Sequence, residues 1–264
     1  MNSKTKPITH CVIPDTQIKP GVPTEHITAA SNYILDKKPD VIVVLGDWFD
    51  MPSMSQYEQR GSKYFEGKSY ISDIDAGIAG MDLLFDPWIR YNNARKKSKH
   101  ALYTPRTVFI TGNHEHRIQR AVYQDPRLEG TISLDDLRLR RHFDEVHDFL
   151  EIVDIDGILY SHYFQNPDSA KRMPLGGQVP NRLRSIGQSF TQGHQQGLSV
   201  GMRYTPTGKA QRGIVAGSFY QHDEHYAGPQ GSNYWRGILF CHEVQAGDYS
   251  LMEVSIDYLL KEWL

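Results

Sequence analysis

Cysteine is scarce in this sequence: Cys11 and Cys241 are the only two among 264 residues, and both fall in apolar runs that read as strands. Two thiols do not make a disulfide framework, which excludes a cystine-stapled secreted scaffold and favours a reducing compartment. An excess of charge of one sign is lacking as well. The formal net charge of −2 gives no whole-surface basic footprint, although a local groove can still be basic. No apolar run approaches the ~20 residues that span a bilayer, and "MNSKTKPITHCVIP" holds no apolar core of a signal peptide. A soluble, unprocessed cytoplasmic protein with no membrane partner is expected. No internal repeat, low-complexity tract, zinc ribbon, helix-turn-helix signature or heptad array is present, which leaves one globular α/β unit over 1–264 as the expected organisation.

What the chain does have is a repeated local layout, an apolar or β-branched run that stops at a polar residue able to bind metal. The runs are "HCVIPD" ending at Asp15, "DVIVVLGD" at Asp47, "TVFITGNH" at Asn113 and His114, and "GILYSH" at His162. Continuous apolar character suits strands buried on both faces, and helical patterns follow some of them, so a layered α/β arrangement is expected. In such sheets ligands bind beyond the carboxyl ends of the strands, so polar residues at several strand ends converge.

Between the first two runs, Thr24 to Lys38 reads as a helix stopped before Pro39. Residues 51–105 exceed what a simple crossover needs and read as a helical insertion packing near the site. Ser72 and Asp75 suit a capping box there, and Ile74, Ile78, Met81, Phe85 and Trp88 recur at helical spacing. Pro87 predicts a break or kink, making two shorter helices as good a reading as one long one. "RKKSKH", Arg95 to His100, reads as a solvated helix end in preference to a nucleic-acid patch. The carboxyl-terminal third reads as strand-rich, and Met202 to Gly213 as a hairpin with a Pro/Gly turn.

Taken together the strand ends give D-x-Q at Asp15 and Gln17, G-D-x-x-D at Gly46, Asp47 and Asp50, G-N-H-E at Gly112 to Glu115, an isolated His162, and G-H-Q-Q at Gly193 to Gln196. This order and spacing resemble the calcineurin-like metallophosphoesterase family over residues 12–196. A finer resemblance, carried by "RLRSIGQSFTQGHQQG" and "HYAGPQGSNYWRG", is to members encoded by bacteriophages and prophages, which would make the compartment a host cytoplasm. The resemblance implies an α/β/β/α sandwich of two mixed sheets flanked by helices. It also implies two metal ions sharing Asp47. One ion takes Asp47, Asn113, His162 and His194, all of the expected type. The other takes Asp15, Asp47 and two positions given to histidine in the family, held here by Gln17 and Gln196.

A glutamine offers only a neutral amide oxygen, a harder and weaker ligand than imidazole. Gln17 and Gln196 therefore disfavour zinc or iron at that position and leave manganese, magnesium or calcium, or a position filled only with substrate phosphate present. Alternatively their amide N–H groups donate to a phosphate. The expected cofactor is one or two divalent ions per chain, manganese first, with magnesium, calcium or zinc as alternatives. The resemblance implies hydrolysis of a phosphate ester by metal-activated water, a diester before a monoester, with nucleic acid or nucleotide among the substrate classes. His114 would be the general acid and Asp50 its partner. Arg117 is a phosphate candidate by its planar fork, and Arg172, Arg182 and Arg184, on the segment between two ligands, are further cations for an anionic substrate.

Each residue has a plainer reading. Asp15 alone is a turn former, His162 alone a satisfied buried histidine, and the charges of the 164–190 segment solvated. A binding scaffold on a decayed phosphoesterase fold, or a single-metal phosphatase, are the rival functions. Oligomeric state is not legible.

Overall fold

A computed structural model describes residues 7–56, 66–171, 173–223 and 231–264. The first three apolar runs become parallel neighbours β1 (Ile8–Ile13), β2 (Val41–Val44) and β3 (Arg106–Ile110), with the short β4 (Glu145–His147) parallel beyond them. Two long strands, β10 (Gly237–Gln245) and β11 (Asp248–Ser255), pair antiparallel and close the other side, giving the order β11-β10-β1-β2-β3-β4. A second sheet is built from β5 (Val153–Ile155), β6 (Ile158–Ser161), β7 (Ser189–Gln192), β8 (Leu198–Tyr204) and β9 (Ala210–Ala216), in the order β5-β6-β7-β9-β8. Both sheets are mixed: β6, β7 and β9 run parallel, while β5 and β8 pair antiparallel at the edges.

Side-chain alternation explains the unbroken apolar runs. Along β1 and β2, Cys11, Ile13, Ile42 and Val44 point into a helix-facing core, while Val12, Val41 and Val43 point into a core between the sheets. Both faces of these strands are covered, so neither can be polar. The helix-facing core is completed by α1 (Glu25–Lys37), α2 (Tyr70–Lys97) and the terminal α5 (Ile256–Trp263), through Ile27, Ile34, Met81, Phe85 and Leu259. After β3 the chain forms α3 (His116–Gln124), and on the far side α4 (Val179–Ile186) covers the second sheet, packing Val179 and Leu183 on Phe190 and Val215. Helix, sheet, sheet, helix is thus the layer order.

The sequence expectation of a helix over Thr24–Lys38 is met: α1 ends with Lys38 in the left-handed conformation, ahead of Pro39. Two local expectations are corrected. The helix in residues 51–105 starts at Tyr70 with Ser69 as its N-cap and no side-chain cap bond, so Ser72 lies inside it and forms no capping box with Asp75. The neighbouring Asp73 instead turns inward and accepts the Ser53 N–H at 2.9 Å. Nor does Pro87 divide the helix, which runs 28 residues without interruption. Packing holds it: Phe85 and Trp88 flank Pro87 in the core, Ser31 Oγ donates to Leu84 O at 2.6 Å and Trp88 Nε1 to Ser31 O at 3.2 Å. These contacts with α1 outweigh the local cost of the proline, about 3 kcal/mol.

α2 is the crossover from β2 to β3 and reaches the segments that carry the site. Trp48 Nε1 donates to Gly77 O at 3.0 Å, and the bare faces of Gly77 and Gly80 lie against the Phe49 and Ile18 side chains. The 95–97 basic run ends α2 in solvent, and β8–β9 form the expected hairpin, with Thr205 N–H donating to Lys209 O at 2.9 Å.

Candidate metal centre

Asp15, Asp47, Asn113, His162 and His194 lie just beyond β1, β2, β3, β6 and β7, so the carboxyl ends of strands from both sheets meet at one point. The β2 and β3 ends touch backbone to backbone. A Cβ on Gly46, whose φ is +87°, would sit 2.4 Å from Gly112 N, and one on Gly112 would sit 2.2 Å from Asp47 Oδ1. Both glycines are therefore needed for Asp47 and Asn113 to come together.

Three residues of the centre, Gln17, Asp47 and His194, hold left-handed backbones at φ +44°, +47° and +67°. Such conformations cost about 1 kcal/mol or more each and persist where surrounding bonds fix them. The main fixing group is Glu115, fully buried: Oε2 accepts the N–H groups of Asp47 (2.9 Å) and Gly112 (2.7 Å), and Oε1 that of Phe49 (2.9 Å). In its ionised form Glu115 makes bonds of about 1.5–3 kcal/mol each, enough to outweigh the strain at Asp47. Burial, then the Asp47 carboxylate, push the Glu115 pKa up to about 7 against these donors. Gln17 is placed by its backbone, its N–H donating to Asp47 O at 2.8 Å.

Asp47 Oδ1 accepts the His114 N–H at 2.8 Å, which leaves Oδ2 facing inward, 3.5 Å from His162 Nε2 and 3.7 Å from His114 Nε2. His162 Nδ1 donates to Leu45 O at 2.7 Å, so in the neutral ring Nε2 carries a lone pair. That lone pair points at Asn113 Oδ1, 2.9 Å away, which also lies 2.7 Å from His194 Nδ1. Burial lowers the pKa of His162, and burial followed by His162 lowers that of His194 to about 4, so both rings are neutral at pH 7. Burial pushes Asp47 up, but His114 and His162 outweigh it and hold its pKa below the ordinary value, so the carboxylate is charged.

An imidazole lone pair, a carboxylate oxygen and an amide oxygen thus face one another with no proton among the His162, Asp47 and Asn113 atoms to share, an arrangement a cation satisfies. The ligand atoms of Asp47, His162 and His194 lie within 4.8 Å of one another. An ion with bonds of about 2.1 Å keeps its ligands roughly 3–4 Å apart, so a small contraction of the set would let it hold one ion. Two imidazole nitrogens with two oxygens suit manganese, iron or zinc by ligand type.

Asp15 is fully buried beside this set, its pKa pushed well up by burial and then by Asp47. Its Oδ1 accepts the His194 N–H at 3.0 Å and its Oδ2 the Gln196 Nε2 at 2.9 Å. The Oε1 of Gln196 is buried without a hydrogen-bond partner among the described residues.

His114 Nδ1 lies 3.0 Å from Asp50 Oδ1, and Asp50 Oδ2 is 2.9 Å from Lys19 Nζ. Burial pulls the His114 pKa down, and Asp47 with Asp50 pulls it up and prevails. Burial acts on Asp50 in the opposite sense to His114 and Lys19, which hold its carboxyl well below the usual range. Arg117 donates from Nη1 to Asp50 O (2.7 Å) and Met51 O (3.1 Å), and from Nη2 to His114 Nε2 (2.9 Å). In this arrangement the His114 proton therefore sits on Nδ1, toward Asp50.

Of the other cations, Arg182 is brought to the centre's edge: Nη2 donates to Gln195 Oε1 at 2.7 Å, beside His194, and Nη1 is buried with no partner among the described residues. Arg184 is exposed and bonded to Asn181 on its own helix, and Arg172 lies outside the described residues. The sequence reading omitted Lys19 and an aromatic wall. The Tyr163 ring packs 4.8 Å from His194, and Phe149 lies 5.9 Å from His162. Lys19 had no signal beyond following D-x-Q, and Tyr163 only its place after His162.

No protein-family model matches the chain, and no curated protein matches it. Two solved structures run along nearly its whole length at low similarity. One, a crystal structure that carries no protein name, is 10% identical with a TM-score of 0.40, covering 95% of this chain and 99% of that one. The crystal structure of TT1561 of Thermus thermophilus is 8% identical with a TM-score of 0.37 at the same coverages. Neither likeness carries a functional reading. Among the described residues no helix is long and apolar enough to cross a membrane.

Proposed function

We propose that this chain is a metal-dependent phosphoesterase of the calcineurin-like type, hydrolysing phosphodiesters in preference to monoesters. The observation that carries the reading is the convergence of Asp47 Oδ2, His162 Nε2, Asn113 Oδ1 and His194 Nδ1, from two sheets, beside an Asp-paired histidine that no such ion needs as a ligand. Those four residues would hold a divalent ion, manganese among those their ligand types suit. When bound, the ion lowers the pKa of its water and stabilises the phosphate oxygens.

The chain's own groups do the remainder. Asp50 holds the His114 ring through Nδ1 and, with Asp47, favours its protonated form. Once Arg117 Nη2 has turned from Nε2 to the phosphate, Nε2 takes a proton from solvent, and the imidazolium passes that proton to the departing oxygen and returns to the neutral ring. Arg182, with Nη1 unpartnered, supplies a second donor to phosphate oxygen. Tyr163, which packs on His194, also lines an apolar hollow of about 270 Å³ with Leu150, Leu159, Phe164 and Leu175. A hollow that shares Tyr163 with the centre could take a second organic substituent on phosphorus, in keeping with a diester.

The test is hydrolysis of a chromogenic phosphodiester and its monoester counterpart by metal-stripped protein resupplied with manganese, with His114→Ala alongside. Turnover that needs both manganese and His114, faster on the diester, is expected. Folded, manganese-loaded protein that turns over neither ester would overturn the proposal and favour a binding scaffold.

A further inference from the structure

The two-ion arrangement that the sequence resemblance implies does not fit the residues around Asp15. We infer that the hydrogen bond from Gln196 to Asp15 stands in place of a second ion, so that the centre is mononuclear and Asp15 is a positioning residue, not a ligand. The inference rests on the metal-binding part of the proposed function and is indifferent to hydrolysis.

Both oxygens of the Asp15 carboxylate are already taken by donors from a single loop, the backbone N–H of His194 at 3.0 Å and the amide of Gln196 at 2.9 Å. An ion on Oδ2 would have to share that oxygen with the positive end of the Gln196 amide or displace it from a fully buried acid. In return it would gain only neutral amide oxygens from Gln17 and Gln196, weak partners beside the imidazoles of the other position. Among the described residues Asp47, His162 and His194 form a group of acids and histidines placed to share an ion, whereas the two positions that would complete a site with Asp15 and Asp47 carry the amides of Gln17 and Gln196.

The bonds that exclude Asp15 from ligation give it another task. His194 reaches Asn113 from a left-handed backbone at φ +67°, a conformation that needs fixing. Asp15 Oδ1 pins the N–H of that residue, and Gln196, two positions on, holds the other oxygen so that the carboxylate cannot rotate away. The pair fastens the loop after β7 to the end of β1 and aims a ligand of the single ion.

The test is manganese content by elemental analysis after equilibration with excess manganese, with the low-temperature electron paramagnetic resonance spectrum of the same samples. Native protein is expected to hold one ion per chain and to give a six-line signal free of exchange coupling. Asp15→Asn keeps an acceptor for His194 N–H, and its new amide is met by Gln196 turned over, so one ion and near-native affinity are expected. Asp15→Ala releases the loop and lowers affinity about 10- to 100-fold, still with one ion at saturation. The Gln17→His, Gln196→His double variant is expected to bind two. A coupled spectrum with two ions in native protein, or a double variant that stays at one, overturns the inference. A count of zero in folded native protein overturns the metal reading itself and so separates the two failures.

Discussion

Glu115 Oε2 accepts the backbone N–H of Asp47 at 2.9 Å, so a fully buried acid outside the candidate ligand set shapes the turn on which Asp47 sits. Because Phe49 and Gly112 donate to the same carboxylate, Glu115→Ala strands three buried N–H groups. The expected loss is about 3 kcal/mol or more, at 1–3 kcal/mol for each unpaired group, read by urea unfolding of the metal-free protein. Glu115→Gln keeps its shape but turns an NH₂ toward backbone donors, and it should fall between the two. A variant as stable as the native chain would contradict this role.

Asp50 sits between His114 Nδ1 and Lys19 Nζ, at 3.0 and 2.9 Å. Asp50→Asn removes a charge that raises the His114 pKa, so the alkaline limb of the pH–rate profile should move to lower pH and turnover at pH 7 should fall about 10- to 100-fold, less than the full worth of an acid catalyst. Manganese content should not change. An unmoved limb would dissociate Asp50 from His114.

Proton competition for the ion should set in late. Burial, then His162, lower the His194 pKa to about 4 from the ordinary 6.5, and His162 is lowered too, so both rings remain neutral as pH falls below 6.5. Loss of manganese affinity is expected to set in below the ordinary histidine range, with the His194 part of it deferred to about pH 4. The stability of the metal-free protein should behave in the opposite sense to a group with a raised pKa. Between 6.5 and about 4 the unfolded chain gains protons that native His194 does not, so stability declines as pH falls. Calorimetric titrations at stepped pH check the first statement and thermal unfolding the second.

Pro87 lies within α2, where it can donate no N–H to Leu83 O. Pro87→Ala restores that bond and should stabilise the protein by up to about 3 kcal/mol, with turnover unchanged. A lowered melting temperature would mean that the ring itself packs in the helix-facing core.

Strand ends were legible because two-sided burial writes itself as unbroken apolar runs: "VIVVL" can be little else, and the polar residue that stops it has to lie at the sheet's edge. Asp47, Asn113 and His162 stood out in that way, whereas His194 entered only through the family resemblance; the structure brings the four side chains together. Contacts formed across the chain were not legible. Nothing near Pro87 announces Ser31, whose bonds to Leu84 and Trp88 hold α2 whole. The fork of Arg117 suggested phosphate, yet in the structure it is spent on Asp50 O, Met51 O and His114. Gln196 read either as a weak ligand or as a donor to phosphate, and its partner proved to be Asp15, 181 positions away.

The measurement that bears most directly on the account is manganese titration, by calorimetry, of metal-stripped native and His162→Ala proteins, with diester turnover followed in the same samples. Loss of manganese binding together with loss of turnover in the variant is the predicted result. Turnover that survives in ion-free native protein, or a variant that binds manganese as the native chain does, would contradict it.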